Sequence, residues 1–293
     1  MKRLLITGGS GELGSPLSEL AARTWTTTGT YFRNPSVGGG QAVRLDLRDR
    51  EATLALVKDR RPDAIIHTAV SDRSEDMVAA NRAAARHIGA AARQIGCRLI
   101  ALSTDMVFDG RHPPYAEEAP PTPLGPYGQV KAENERLFAD IPGCLTVRTS
   151  LIYDTKPGNR QIGWMLKKIE AQEPVPLFTD EIRQPIWVWN LAEALLELAE
   201  GTAEGIVNVA GGQATSRWEY GCALLSALGF DPEETARPVL AAEVAPNRPR
   251  DCTLRLDKAR SLLKTPLLTV NEALRRAQGK ADQGHSTSTT TRR

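Results

Sequence analysis

The sequence predicts an α/β fold: a doubly wound parallel sheet with helices on both faces, carrying a smaller C-terminal lobe. Three observations lead there. Short apolar runs alternate with helical patterns along most of the 293 residues, the pattern of strands joined by crossover helices. The first apolar run leads through a glycine-rich turn into an amphipathic stretch. A later run, Leu99 to Leu102, ends in Ser103 and Thr104. Polar residues at the carboxyl end of a buried strand stand where open sheets of this class place their ligands.

Taken in order, residues 3–7 (RLLIT) read as a first strand, followed by Gly8-Gly9-Ser10-Gly11-Glu12-Leu13-Gly14 and a helix to about Arg23. Strand, glycine turn and helix in that sequence form a Rossmann-type dinucleotide cradle. Gly8 allows the tight turn, Gly11 the approach of a pyrophosphate to the backbone, and Gly14 close packing of helix on strand. Glu12 and Leu13 fall inside the same turn, whose helix N-terminus offers free N–H groups to the phosphates.

A second strand reads Thr26 to Phe32, and its end selects the cofactor. An acid about twenty residues past the fingerprint favours a free ribose. Here 33 − 14 = 19 lands on Arg33, followed by Asn34. A guanidinium suits a 2′-phosphate, so NADPH is the expected cofactor and NADH the alternative.

Val43 to Leu45 is a short third strand, ending at Asp46-Leu47. A helix over 48–61 stops at Pro62. Ala64 to His67 is a fourth strand, and Asn81 to Ile95 an Ala-rich helix. After Leu99–Leu102, Tyr127 and Lys131 stand four apart in a helical pattern, one turn, so both share a face. Cys144 to Thr149 is a further strand. A helix is expected around Trp164 to Ala171 and another over Leu191 to Leu198. Trp187 and Trp189 alternate around Val188, which fits a half-buried strand. Gly205 to Val209 reads as a strand, and Ser216 as the N-cap of an amphipathic helix.

The chemistry concentrates in residues 103–135. A phenol beside an ammonium has its ionised form favoured, so Tyr127 next to Lys131 suits proton transfer to an oxygen, with a Thr104 hydroxyl to hold that oxygen. Tyr-x-x-x-Lys alone is weak evidence. Thr-Asp-x-Val-Phe-Asp-Gly followed at this distance by Tyr-Gly-x-x-Lys is far more specific. This stretch resembles the extended short-chain dehydrogenase/reductases, and within them the dTDP-4-dehydrorhamnose reductase family, over residues 2 to 275.

That resemblance implies Thr104, Tyr127 and Lys131 as the catalytic set, with Tyr127 and Lys131 also touching the cofactor. It implies an adenine-edge contact at Asp46 and Leu47. Thr68, Ala69 and Val70 would line the cofactor, and Asp105, Arg183 and Arg248 would join Thr104 on the substrate side. FDG, PPYAEE, RTS (148–150) and Tyr153 match as well. The substrate implied is a nucleotide-linked 4-keto-6-deoxy sugar. Departures are Glu12, Met106, Val130, Leu151 and a short connection from His67 to Asn81, which leads us to expect a substrate site more open on that side. Two other readings stay open. One is an epimerase or dehydratase on the same scaffold. The other is a regulatory subunit, since the beta subunit of methionine adenosyltransferase resembles the same family.

Composition narrows the rest. Hydrophobic content of 41% with 25% charged residues suits a globular chain with a large core. A net charge of +2 gives no electrostatic reason for nucleic acid. No apolar run approaches a membrane span, and the N-terminus lacks the pattern of a signal peptide. Four cysteines without close spacing read as reduced thiols of a cytoplasmic protein, with no metal site. The expected organisation is a dinucleotide-binding domain from 1–153 and 185–210 and a substrate-binding lobe from 154–184 and 211–275. A polar, disordered tail is expected over 276–293, and a homodimer is the expected assembly.

Overall fold

The structure is a computed structural model that describes residues 1–70, 76–156 and 158–286. Seven strands form its main sheet: β1 (Arg3–Thr7), β2 (Thr26–Tyr31), β3 (Gln41–Arg44), β4 (Ala64–His67), β5 (Arg98–Thr104), β6 (Cys144–Thr149) and, after further short strands, β11 (Gly205–Asn208). Their spatial order is β11-β6-β5-β4-β1-β2-β3, and every pairing is parallel. The order reverses between β1 and β4, which opens a crevice beyond the strands' carboxyl ends.

Alternation along the strands builds a core on each face. Leu4, Ile6, Ile66 and Ile100 pack on one side with α1 (Gly14–Ala21) and α6 (Val188–Glu200). Leu5, Ile65, Leu99 and Ala101 pack on the other with α2 (Arg50–Arg60) and α3 (Met77–Ile95). That second face also takes Phe138 of α4 (Pro126–Ala139). Local chemistry sets the helix ends. Asp49 caps α2 by accepting the N–H of Ala52, and Gly96 closes α3 in the left-handed conformation at φ 67°.

The remaining segments carry short pairings. They are β7 (Ile152–Tyr153) with β10 (Ile186–Trp187), β8 (Val175–Phe178) with β13 (Ala236–Val239), and β9 (Ile182–Arg183) with β12 (Thr215–Ser216). Among them lie α5 (Arg160–Glu170), α7 (Arg217–Ala227), α8 (Pro232–Thr235), α9 (Ala241–Val244), α10 (Asp257–Leu262) and α11 (Val270–Ser286). Ser216 caps α7 in a capping box with Glu219.

Two expectations need correction. Trp187 closes β10, but Trp189 lies in the first turn of α6, because the apolar pattern continues at helical spacing through Leu191, Ala192 and Leu195. The chain also stays helical past 276, since α11 runs to Ser286. Arg276 pairs with Glu193 of α6, and Ala277 packs against the core. A polar segment is held here by an apolar stripe and an ion pair rather than left loose. The 71–75 part of the short connection, and 287–293 of the expected tail, lie outside the described residues.

Candidate active site

The carboxyl ends of the central strands open into a cavity of about 1470 Å³. That exceeds the roughly 300–1,000 Å³ of a pocket for one small ligand; two ligands end to end fit it better. Every residue expected at the cofactor or the substrate from the sequence lies on its wall.

At the glycine turn, Gly8 adopts φ 73° and Gly11 N–H closes back on the Gly8 carbonyl at 2.9 Å. A Cβ on Gly14 would sit 1.9 Å from that same carbonyl oxygen, so helix and turn can meet this closely only with glycine there. A Cβ on Gly11 would meet only the Gly8 carbonyl within 4 Å, at 3.2 Å. Its remaining side is the open space a pyrophosphate needs. The segment after β4 seals the turn from beneath: Thr68 donates its hydroxyl to the Thr7 carbonyl at 2.7 Å. Val70 remains 47% exposed on the cavity side. Glu12 is turned to another task. Its carboxylate accepts the Arg160 N–H at 3.1 Å, which ties the glycine turn to the first turn of α5.

His67, below this turn, is buried and meets the Thr7 hydroxyl through Nδ1 at 2.7 Å. Burial, with the Lys131 charge adding to it, pulls its pKa down to about 3. It is a neutral structural imidazole across the physiological range.

Tyr127 and Lys131 sit in the first turns of α4, which enters behind Pro126. Lys131 is 6% exposed and donates to the Leu102 carbonyl at the end of β5, at 2.9 Å. Its ammonium lies 6.0 Å from the Tyr127 ring centroid. Burial lowers the Lys131 pKa to about 8, while the Glu135 charge one turn further along α4 pulls it back up.

Glu135 is itself held by two partners. Ser103 donates to it at 2.5 Å, and Arg148 donates through Nε and Nη2 at 3.0 and 2.8 Å. Arg148 also stacks over Phe108 and donates to the Glu117 carbonyl at 3.0 Å. A buried, bidentate ion pair of this kind pins α4 to β5 and β6. Asn134 adds a contact from α4 to the Asn81 carbonyl on α3.

Thr104 accepts the Met106 N–H at 3.2 Å and directs its own hydroxyl at Asp105, 3.3 Å away. Asp105 is buried, accepts the Ser150 hydroxyl at 2.6 Å, and lies 3.8 Å from Arg183 Nε. Burial pushes its carboxyl upward, against the pull of Arg183 and the hydroxyls.

Arg183 proves more enclosed than a substrate contact should be. Its guanidinium donates to the carbonyls of Ile182, Pro249 and Arg250, and its side chain is 4% exposed. It braces the 249–250 loop against Asp105 and Glu181. Arg248 differs: it pairs bidentately with buried Glu181 at 2.8 and 3.0 Å, yet its side chain is 46% exposed on the cavity wall. Arg160 and Arg217 join it there. Sequence alone does not place these two, nor Glu135, at the site. Glu135 lay within reach of it, being four residues past Lys131 on one helix face; the two arginines enter through contacts distant in sequence.

At the other end, Arg33 and Arg48 flank the exposed Phe32 ring, and Asp46 grips Arg48. His87 Nδ1 lies 2.8 Å from the Leu47 carbonyl. No group of three or more potential metal ligands occurs among the described residues.

A parallel sheet of this strand order, with a glycine turn and a Tyr-x-x-x-Lys helix meeting at one cavity, is the arrangement of the short-chain dehydrogenase/reductases. The RmlD substrate binding domain family model matches residues 1–282. The chain is 32% identical to dTDP-4-keto-6-deoxy-D-glucose reductase of Streptomyces niveus, over 94% of this chain and 96% of that one. It is 30% identical to methionine adenosyltransferase 2 subunit beta of Mus musculus, over 93% and 87%. Among solved structures it superposes on dTDP-4-dehydrorhamnose reductase of Bacillus anthracis in complex with NADP, with a TM-score of 0.81, 25% identity and coverage of 96% and 99%. The chain belongs to the RmlD substrate-binding-domain family.

Proposed function

We propose that this chain is an NADPH-dependent reductase of a nucleotide-linked 4-keto-6-deoxy sugar. The observation that carries the reading is the convergence on one cavity of a pyrophosphate-accepting glycine turn, an arginine-lined ribose end and the Thr104, Tyr127 and Lys131 set. Gly8, Gly11 and Gly14 would cradle the dinucleotide, with Leu13, Leu47, Thr68, Ala69 and Val70 along it, and Arg33 at its ribose phosphate. When bound, NADPH supplies a hydride.

The chain supplies the proton and the positioning. Lys131 is anchored by the Leu102 carbonyl with its charge facing the Tyr127 ring. Tyr127 donates the phenolic proton to the ketone oxygen as that oxygen gains negative charge. The Thr104 hydroxyl, held only at 3.3 Å by Asp105, turns its proton toward the same oxygen and shares the developing charge. Arg248, Arg160 and Arg217 face the part of the cavity where a nucleotide diphosphate would lie, and guanidiniums suit phosphate oxygens geometrically.

Arg33 stands where an epimerase or dehydratase with tightly held NAD would carry an acid, which disfavours that alternative. All four cysteines are free thiols, in keeping with a cytoplasmic setting. No helix among the described residues is long and apolar enough to cross a membrane.

The test is NADPH oxidation against a panel of dTDP- and UDP-linked 4-keto-6-deoxy sugars, with product stereochemistry read by NMR. Turnover on the order of 1–10³ per second on one of them supports the reading. If no sugar is reduced while NADPH and a methionine adenosyltransferase catalytic subunit both bind, the chain is a regulatory subunit like the mouse relative.

A further inference from the structure

Nothing in the sequence alone singles out Arg48, yet it stands on the cavity wall with Arg33. β2 and β3 are neighbours, with Tyr31 opposite Arg44, so the residues following them emerge at the same edge. Between these ends lies Phe32, 42% exposed on the cavity wall. The Arg33 and Arg48 guanidinium carbons approach its ring centroid to 5.6 and 5.5 Å, within the range of a cation–π contact.

Arg48 is also fixed from behind. Its Nε donates to Asp46 at 3.0 Å, its Nη2 at 2.7 Å, and its backbone N–H at 3.0 Å. That grip holds the Asp46 carboxyl below the usual carboxylate range. Both guanidiniums lie on one ring here, with Asp46 in contact with Arg48 and the Asp76 carboxylate acting on it from further away.

We propose that Arg48, held by Asp46 against Phe32, is a second cofactor-selecting residue that acts with Arg33 to grip a phosphomonoester on the adenosine ribose. The inference rests on the dinucleotide reading above and adds a residue to it. Three points support the pairing. A phosphomonoester carries close to two negative charges at neutral pH and three acceptor oxygens, more than one guanidinium satisfies. Arg48 is already oriented, so less side-chain entropy is lost when the phosphate arrives. Asp46, the acid near this end that could favour a free ribose hydroxyl, has its carboxylate committed to Arg48.

The experiment is calorimetric titration of the full-length chain and its Arg33→Ala, Arg48→Ala and Arg48→Lys variants with NADPH, NADH and 2′,5′-ADP. The unaltered chain should prefer NADPH. Arg48→Ala should weaken NADPH and 2′,5′-ADP by on the order of 10–100-fold, the worth of one hydrogen bond between charged groups, and leave NADH nearly unchanged. Arg48→Lys, which keeps the charge and loses the planar fork, should fall between. Equal loss for NADPH and NADH would show Arg48 to be merely structural and overturn the proposal. So would an unchanged NADPH preference in Arg48→Ala alongside its loss in Arg33→Ala. Equal affinity of the unaltered chain for NADPH and NADH would overturn both this proposal and the NADPH preference beneath it.

Discussion

The two ends of the cavity are built on opposite principles. At the reaction end, Thr104, Asp105 and Lys131 are 8%, 3% and 6% exposed, and Glu135 and Arg148 are buried behind them. At the adenosine end, Phe32 is 42% exposed and the Arg48 side chain half exposed. Charges in a low-dielectric site interact several-fold more strongly than in water, so burial suits the end where a proton must move on demand. It also makes each group there indispensable to its neighbours. Solvent damps the charges of the arginines at the other end. The comparison leads us to expect steep, coupled losses at the buried end and shallow, separable ones at the open end.

The largest effect should come from Tyr127→Phe. It removes only the hydroxyl and should lower turnover by about 10²–10⁴-fold, the usual contribution of general acid catalysis, while calorimetry finds NADPH affinity unchanged. Full turnover in this variant would assign the acid to another group. Next is Arg148→Leu, which strands the Glu135 carboxylate without its ion-pair partner. Urea denaturation should record a loss of roughly 3–5 kcal/mol, as for other broken buried pairs, with much less lost in the Glu135→Leu/Arg148→Leu double variant. Additive losses in the double variant would show that the pair is not a unit.

A third test uses pH. The folded-state pKa of Lys131, about 8, lies below its ordinary 10.5. The unfolded chain therefore binds the proton more tightly than the folded one between those values. The cost of burying the ammonium is full below about pH 8 and is relieved as pH rises toward 10.5. The stability of Lys131→Met relative to the unaltered cofactor-free protein should thus be higher at pH 7 than at pH 10. A relative stability that does not fall with pH would contradict the depressed pKa. Turnover of the unaltered enzyme should fall as pH rises through about 8, because the ammonium that stabilises the tyrosinate left by proton transfer is lost.

The smallest effect belongs to the open end. Arg33→Asp should narrow or reverse the preference for NADPH over NADH by roughly tenfold or more, the scale of one charge-assisted hydrogen bond, while Tm stays within a few degrees. A large loss of stability there would break the contrast between the two ends.

Much of this was legible from the sequence because it is local. A glycine turn between a strand and a helix is a property of consecutive backbone angles, and Tyr127 and Lys131 share a face because one helical turn separates them. Ser216 is a cap by its place before an amphipathic run. The unbroken apolar run Leu4, Leu5, Ile6 suits a strand buried on both faces, and Leu4 and Ile6 pack in one core while Leu5 packs in the other. Where local pattern was short, it misled. Two tryptophans flanking one valine cannot distinguish the end of a strand from the start of a helix, and a polar segment after 276 gave no sign of the partner on α6 that holds it.

The sequence by itself determined which elements form and which side chains could carry the chemistry, since backbone geometry and hydrophobic period act over a few residues. Only the tertiary structure decided how those side chains are used. Arg183 and Arg248 look alike in sequence, but one is enclosed by backbone carbonyls while the other faces the cavity from its pairing with Glu181. Asp46 turns to Arg48, and Arg48 meets Arg33 across one phenylalanine because two parallel strands end side by side. Such pairings depend on which strand ends lie next to each other, and the packing of the whole sheet sets that.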